Sequence, residues 1–197
     1  MPFAYPVLLE LSDRRAVVIG SLALHERKDV ALRDAGAEVE VFANGRWRPE
    51  DLDTAFVCVA SSDDPAERDA IGGAARDRGV LVNVMDDVPN CDFGAPAVVR
   101  RGDLLIAIGS GGRSPALARK VREDLEERYG EEWADVLEVV GAVREETLEA
   151  LPDLSVRARR WRRALDLDEA AALVRAGLPD ELRRRLLGRL LAGEEVA

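Results

Sequence analysis

The sequence has few of the side chains that most often bind metal ions or form disulfides. Its 197 residues include one histidine, His25, and two cysteines. Cys58 lies in an apolar run and Cys91 in a polar stretch, and neither their number nor their spacing matches a zinc site or a disulfide framework. We therefore predict no metal site, and we interpret His25 as a helix-surface or half-buried side chain.

The sequence also has a deficit of positive charge and no long apolar run. Its 28 Lys and Arg are outnumbered by 38 Asp and Glu, which gives a net charge of -10. This balance argues against nucleic acid and anionic membrane surfaces as partners. No apolar run is long enough to span a membrane, and Glu10 and Asp13 cut short the apolar start of the chain. We expect no membrane association, no signal peptide and a cytoplasmic location.

Short apolar runs that alternate with helical patterns predict an α/β fold with a Rossmann-like parallel sheet. The polar link at residues 43–54 is short for a parallel crossover, and we expect a mostly bare loop pinned by Trp47. Strands are predicted at residues 15–19, 38–42, 55–60, 80–84, 97–100 and 104–108.

The pattern after residue 112 is helical throughout and predicts an all-helical dimerisation portion. These helices carry more apolar face than so few of them could bury among themselves, which indicates packing against another copy of the chain. We expect a Rossmann-like domain at residues 1–112, a helical dimerisation region at 113–150 and a C-terminal helical region at 151–197.

Polar residues follow two of the predicted strands. Asn83, Asp86 and Asp87 stand at the end of the strand at residues 80–84, and a glycine-rich loop follows the strand at residues 104–108. Ligands bind beyond the carboxyl ends of the strands in an open α/β sheet, so we expect both loops to open onto one crevice.

The glycine-rich loop predicts an anion site. Ser114 followed by Pro115 is typical of a helix start, and backbone amides at a helix N-terminus attract anions. The alternative is a flexible turn with solvated arginines. The candidate residues are Ser110, Gly111, Gly112, Arg113 and Ser114.

Asp86 and Asp87 are candidates for proton transfer. A carboxylate in a crevice can take a proton from a substrate or attract a metal ion. The alternative is a pair of ordinary solvated or capping Asp residues.

The turn Gly20-Ser21-Leu22-Ala23-Leu24-His25 lies where a Rossmann dinucleotide site places its glycines. Only the first glycine is present, and Leu22 occupies the place of the second. The second predicted strand is followed by Asn44 and does not end in an acidic residue. A βα turn that binds no nucleotide is therefore an open alternative.

These segments together resemble the precorrin-2 dehydrogenase and sirohydrochlorin ferrochelatase family, the N-terminal module of siroheme synthase. The most specific match is the run IGSGGRSPALAR at residues 108–119, and Asn83-Val84-Met85-Asp86 resembles the family's Asn-Val-x-Asp. The resemblance covers about residues 1–130, and the helical tail only by architecture. Other matching segments are Pro6-Val7-Leu8-Leu9, Arg27-Lys28, Ala35-Gly36-Ala37, Arg48-Pro49-Glu50-Asp51-Leu52, Ser61-Ser62-Asp63-Asp64, and Phe93 with Pro96 and Ala97.

The resemblance implies an enzyme of siroheme biosynthesis that oxidises precorrin-2 to sirohydrochlorin with NAD as cofactor, and that can insert Fe²⁺ as a second substrate. Asp86 would accept protons in both steps. The substrate would be a tetrapyrrole with many carboxylates, and the protein a homodimer. The implied cofactor-binding residues are Gly20, Ala23, Leu24, Asn44 and Ser62, and the implied substrate-binding residues are Asn83, Ser110, Gly111, Gly112, Arg113 and Ser114.

The sequence departs from the family pattern in the cofactor half. The family's Gly-Gly-Gly turn is reduced to Gly20-Ser21-Leu22, and the short link at residues 43–54 replaces a crossover helix and a strand. Two other functions therefore stay open: a chelatase only, or a non-catalytic tetrapyrrole-binding protein that has lost NAD binding.

Overall fold

The structure is a computed structural model that describes residues 5–192, without the side chains of residues 22–27. Its fold is α/β and Rossmann-like, with a parallel sheet and helices, as the sequence predicts.

Contacts divide the chain into two compact units. One contains the residues up to Pro96 together with Gly109–Pro115. The other contains Ala97–Ile108 and the residues from Ala116 onwards. The domain boundaries expected from the sequence stay a prediction.

The first unit is built on a parallel sheet of four strands. Its strands are β1 (Arg15–Gly20), β2 (Glu38–Ala43), β3 (Val57–Ala60) and β4 (Leu81–Val84), and its helices are α1 (Leu22–Asp34) and α2 (Pro65–Asp77). The strand order is β2-β1-β3-β4. The parallel β1-α1-β2 unit confirms the prediction for this part of the chain.

Strand β1 is buried on both faces, which explains why its sequence RAVVIG shows no polar alternation. Val17 and Ile19 pack in one apolar cluster with Ile71 of α2. Ala16 and Val18 point to the other face of the sheet and belong to a second cluster.

The link between β2 and β3 contains no α-helix, as predicted. It holds a short 3-10 helix at Pro49–Leu52, whose Leu52 is fully buried in the core. Trp47 anchors the link, because its indole Nε1 donates a hydrogen bond of 2.9 Å to Glu67 of α2.

The second unit begins with a β-hairpin, and this finding corrects one prediction. Strand β5 (Ala97–Arg101) pairs antiparallel with β6 (Leu104–Ile108) in a separate two-stranded sheet. We expected Leu104–Ile108 to be a buried strand of the main sheet, but its residues are half-buried or exposed. The argument that its following loop shares the carboxyl edge of that sheet is therefore wrong.

The reason for the hairpin is the two-residue turn Gly102-Asp103. Gly102 has a φ of 54°, and a glycine in the left-handed region at the first turn position is typical of tight hairpins. Arg101 fixes the hairpin to the residue that follows the next helix, since its Nε donates to the carbonyl of Tyr129 at 2.8 Å.

Helices make up the rest of the second unit. They are α3 (Pro115–Arg128), α4 (Glu132–Thr147), α5 (Leu154–Ala164), α6 (Leu167–Arg175) and α7 (Pro179–Leu191). Leu182, Leu186 and Leu190 lie on one face of α7 and are buried against Val143 of α4. No helix within residues 5–192 is long and apolar enough to cross a membrane.

Two adjacent glycines of α2 provide a test of packing in the first unit. A Cβ added at Gly72 would lie 2.3 Å from Oδ1 of Asn90, whose side chain is held by other hydrogen bonds and cannot move freely. We expect Gly72→Ala to lower the free energy of unfolding by ~2 kcal/mol, as overpacking does.

The neighbouring Gly73 is the matched control. A Cβ at this position meets nothing within 4 Å, so Gly73→Ala should raise the free energy of unfolding by about 0.5 kcal/mol through helix propensity. Urea unfolding of both variants measures the two effects. Equal effects of the two substitutions would contradict the packing at Gly72.

Candidate functional site

The carboxyl ends of the four parallel strands lie along one edge of the sheet. Gly20 at the end of β1 pairs with Ala43 of β2, and Ala60 at the end of β3 pairs with Val84 of β4. This register brings together the predicted site residues that follow the strands, namely Gly20, Asn44, Ser62 and Asp86. The structure therefore groups residues that are far apart in the sequence at the edge where such sheets bind ligands.

The turn from β1 into α1 leaves the first amides of the helix available. Ser21 is the N-cap residue but makes no side-chain capping bond, and the first turn of α1 has no acidic residue. Free amides at a helix N-terminus suit a pyrophosphate. The backbone of this turn therefore fits the pyrophosphate of a dinucleotide. Ala23 and Leu24 lie in the first turn of α1, and their side chains are outside the described residues.

Glu67 of α2 organises the neighbouring part of this edge. Its carboxylate accepts hydrogen bonds from Ser62 Oγ at 2.6 Å, from the backbone N–H of Gly45 at 2.7 Å and from Trp47 Nε1 at 2.9 Å. Burial raises the pKa of Glu67, but these hydrogen bonds outweigh it and hold the pKa below its ordinary value. Glu67 thus fixes the loop that carries Asn44, which is itself exposed.

Our sequence reasoning missed Glu67, although a signal for it exists. Asp64 is the N-cap of α2 and accepts a hydrogen bond from the N–H of Ala66, and Glu67 follows three residues later. This Asp-x-x-Glu spacing is that of a capping box. Here the glutamate reaches the adjacent turn and loop, which no local pattern could have shown.

Asp86 lies in the turn that follows β4. It has a φ of 60°, in the left-handed region that Asp tolerates better than most residues. Its side chain is exposed and makes no hydrogen bond or ion pair with any residue of the described chain. Asp86 is therefore a charged group at the sheet edge that is available to a ligand.

Asp87 has a different environment, so the Asp-Asp pair does not act as one unit. Its carboxylate forms an ion pair of 3.0 Å with Arg68 of α2 and accepts a second bond from Asn90 at 3.2 Å. Asn90 is buried and also donates to Asp69 at 2.8 Å. Asp87 is thus held within the protein while Asp86 faces out.

Asn83 has its amide group turned to an internal partner. The residue is 7% exposed, and its Nδ2 donates to the carbonyl of Phe93 at 2.7 Å. Asn83 therefore fastens the segment after the Asp86 turn against β4. Its predicted contact with substrate stays a prediction.

The glycine-rich loop forms a tight turn just before α3. The N–H of Arg113 donates to the carbonyl of Ser110 at 3.1 Å, and the N–H of Ser114 lies 3.3 Å from Ser110 Oγ. Gly111 and Gly112 have φ values of 61° and 75°, which explains the need for glycine. This turn belongs to the same compact unit as Asp86.

The charge at this turn comes from Arg113. Its side chain is exposed and pairs with none of the residues that the structure describes. The described residues also contain no group of three or more His, Cys, Asp and Glu side chains that could hold a metal ion.

The three hydrogen bonds to Glu67 predict a pH dependence of stability. Because the folded state lowers the pKa of Glu67, the carboxylate stabilises the fold above its ordinary pKa, and this contribution is lost as the pH falls through the folded value. At pH 7 we expect Glu67→Gln to lower the free energy of unfolding by about 1 kcal/mol, the net contribution that is typical of one intramolecular hydrogen bond.

Unfolding of wild type and Glu67→Gln across a pH series measures this effect. The difference between them should shrink in acid. Glu50→Gln is the control, because Glu50 is exposed and makes no side-chain bond within the described chain. A difference that stays constant with pH would rule out the ionised Glu67 as its source.

Comparison with known protein families finds two family models that match adjacent segments of the chain. Residues 7–97 match the family described as putative NAD(P)-binding. Residues 101–128 match the family described as sirohaem biosynthesis protein central.

The chain is also similar to part of the siroheme synthases. It is 33% identical over 205 residues to siroheme synthase 1 of Pectobacterium atrosepticum, which covers 94% of this chain and 42% of that protein. It is 30% identical over 201 residues to siroheme synthase of Methylococcus capsulatus, covering 92% of this chain and 42% of that protein. The chain thus spans less than half the length of these curated relatives.

Among solved structures, the fold resembles SirC, a precorrin-2 dehydrogenase. The two share a TM-score of 0.62 and 21% sequence identity over 94% of this chain and 98% of the other. The two family models and the siroheme synthase relatives together show that the chain belongs to the siroheme synthase family, in the part that carries its NAD(P)-binding and central modules.

Proposed function

We propose that this protein oxidises precorrin-2 to sirohydrochlorin in siroheme biosynthesis, with NAD⁺ as the hydride acceptor. The observation that carries the proposal is the free, exposed carboxylate of Asp86 at the carboxyl edge of the sheet. It stands at the same edge as the open N-terminus of α1. A base and a nucleotide-binding turn at one sheet edge suit removal of a proton and a hydride from one substrate.

The cofactor would be held by the amides of the β1-α1 turn and by the loops on either side. When bound, it supplies the acceptor for the hydride. Asp86 takes the proton that leaves the substrate in the same oxidation. The proposed cofactor contacts are Gly20, Ala23, Leu24, Asn44 and Ser62.

The carboxylates of a tetrapyrrole would be bound by the turn before α3. Backbone amides and an unpaired guanidinium are the donors that carboxylates prefer. The proposed contacts are Ser110, Gly111, Gly112, Arg113 and Ser114. Because the protein has an overall charge of -10, this positive position is a local exception that would steer an anionic substrate.

We also propose that Fe²⁺ is a second substrate. Asp86 would accept the pyrrole protons that iron displaces from sirohydrochlorin. The same carboxylate can serve both reactions because each one requires a base at the tetrapyrrole. No fixed ligand set is needed for a metal ion that only passes through the site.

Replacement of Asp86 tests the function. Anaerobic incubation of wild type with precorrin-2 and NAD⁺ should produce NADH, followed by absorbance. Asp86→Asn should lower the rate by ~10²-fold or more, the usual contribution of a positioned base. It should leave the affinity for NAD⁺ unchanged, because the β1-α1 turn is intact.

Asp77→Asn is the control, since Asp77 is an exposed carboxylate at the far end of α2. Absence of NADH with wild type, together with a spectral change on tetrapyrrole binding, would refute the dehydrogenase and favour a chelatase or a carrier. Full activity of Asp86→Asn would remove Asp86 from the reaction.

We further propose that the protein is a homodimer formed through its second unit. A two-stranded hairpin is rarely stable alone, and β5 and β6 pair only with each other within the described chain. Leu117 of α3 is 59% exposed and Val121, one turn later, is 37% exposed. Unpaired strand edges beside an apolar helix face are typical of a protein interface.

Light scattering of variants tests the dimer. Leu117→Glu should convert a dimer to a monomer, because a buried unpaired carboxylate strongly weakens an interface. Val30→Glu is the matched control, since Val30 is 54% exposed on α1 of the first unit. A monomeric wild type, or a Leu117→Glu variant that stays dimeric, would contradict this interface.

A further inference from the structure

Of the two adjacent carboxylates after β4, Asp87 forms an ion pair with an arginine of α2. Arg68 Nε lies 3.0 Å from Asp87 Oδ2, and Arg68 Nη1 donates to the carbonyl of Ser62 at 2.9 Å. The side chains of Arg68 and Asp87 are 25% and 17% exposed. One guanidinium therefore ties the turn of Asp86 to the turn of Ser62.

Asn90 and Cys91 make further contacts that hold Asp87 in place. Asn90 donates to Asp87 and to Asp69, and it accepts a hydrogen bond of 3.0 Å from Arg76 of α2. The thiol of Cys91 donates to the carbonyls of Val84 and Asp87. The turn that presents Asp86 is thus fixed on both sides of the residue.

The charged and titratable groups around this turn come from two directions. From α2 they are Arg68, Asp69 and Arg76, and from the segment after the turn they are Asp87, Cys91 and Asp92. The carboxylate of Asp92 accepts a hydrogen bond of 3.1 Å from the N–H of Val82. Burial is the main cause that raises the pKa of the Cys91 thiol, so it carries no charge near pH 7. Arg68 is therefore the direct counter-charge of the carboxylate next to Asp86.

We propose that Arg68 is a positioning residue that neutralises Asp87 and holds its turn, so that the Asp86 carboxylate projects alone toward the substrate. Without Arg68, a second uncompensated carboxylate would stand one residue from Asp86. Two nearby like charges make ionisation of each one harder. The left-handed backbone at Asp86 persists only because its surroundings define it, and the contacts of Asp87 supply that definition.

The test is a titration of the Asp86 carboxyl carbon by carbon-13 NMR in the folded protein. In Arg68→Met the midpoint for Asp86 should rise, because the neighbouring Asp87 carboxylate is left without its counter-charge. In Asp87→Asn, the positive charge of Arg68 has no carboxylate partner, so the midpoint for Asp86 should fall. Arg78→Met is the matched control, because Arg78 on the same chain segment pairs with Asp53 at 2.7 Å and contacts neither turn.

The inference deepens the role proposed for Asp86 and rests on it, so the acidic limb of the NADH-forming rate is measured on the same variants. In each variant, the midpoint of this acidic limb should move in the same direction as the midpoint of the Asp86 titration. An unchanged Asp86 midpoint in both Arg68→Met and Asp87→Asn would overturn the positioning role. Shifted midpoints without NADH from wild type would support the positioning role and refute the proposed reaction. If Arg68→Met fails to fold, the fall in Asp87→Asn alone decides the proposal.

Discussion

Parallel pairing of four short strands is the constraint on which the candidate site depends. Each strand ends within a residue or two of its neighbour's end, so every loop that follows a strand opens at the same edge. Parallel strands also need their faces covered, and the two apolar clusters on either side of β1 provide this cover. A residue such as Ser62 reaches the site through the register of its strand and not through any local motif.

Several carboxylates lie at the site edge of the sheet, and each has a different set of partners. Glu67 is saturated by three donors and Asp87 is paired with an arginine, so both act within the protein. Asp86, by contrast, is exposed and projects without a partner in the described chain. An unpaired charge is tolerable there because it is solvated, whereas a buried one would have to be neutralised. This distribution of partners assigns different roles to chemically identical groups.

Much of the fold could be predicted from the sequence because local pattern and tertiary structure agree. The run RAVVI is buried on both faces, and Asp64 before Pro65 begins a helix where capping rules place one. The hairpin was the main error. An apolar run of five residues has the same composition in a buried parallel strand and in a half-exposed hairpin, and the only distinguishing signal was the turn Gly102-Asp103. The contacts of Glu67 and Arg68 span separate loops, so no spacing in the sequence encodes them.

The proposed cofactor half has a reduced glycine motif at the turn from β1 into α1. The first glycine ends β1, and the role of the second is to let backbone approach a pyrophosphate. Leu22 fills that second place, yet the amides of α1 are not capped by Ser21 and face no acidic side chain in the first turn. The attraction of the helix terminus for phosphate does not depend on glycine. Leu22 limits how closely the backbone can approach, so the cofactor binding that we propose would depend more on the loop of Asn44 and the turn of Ser62. Those are the two segments that Glu67 holds rigid, and their rigidity lowers the entropy cost of ordering them around a ligand.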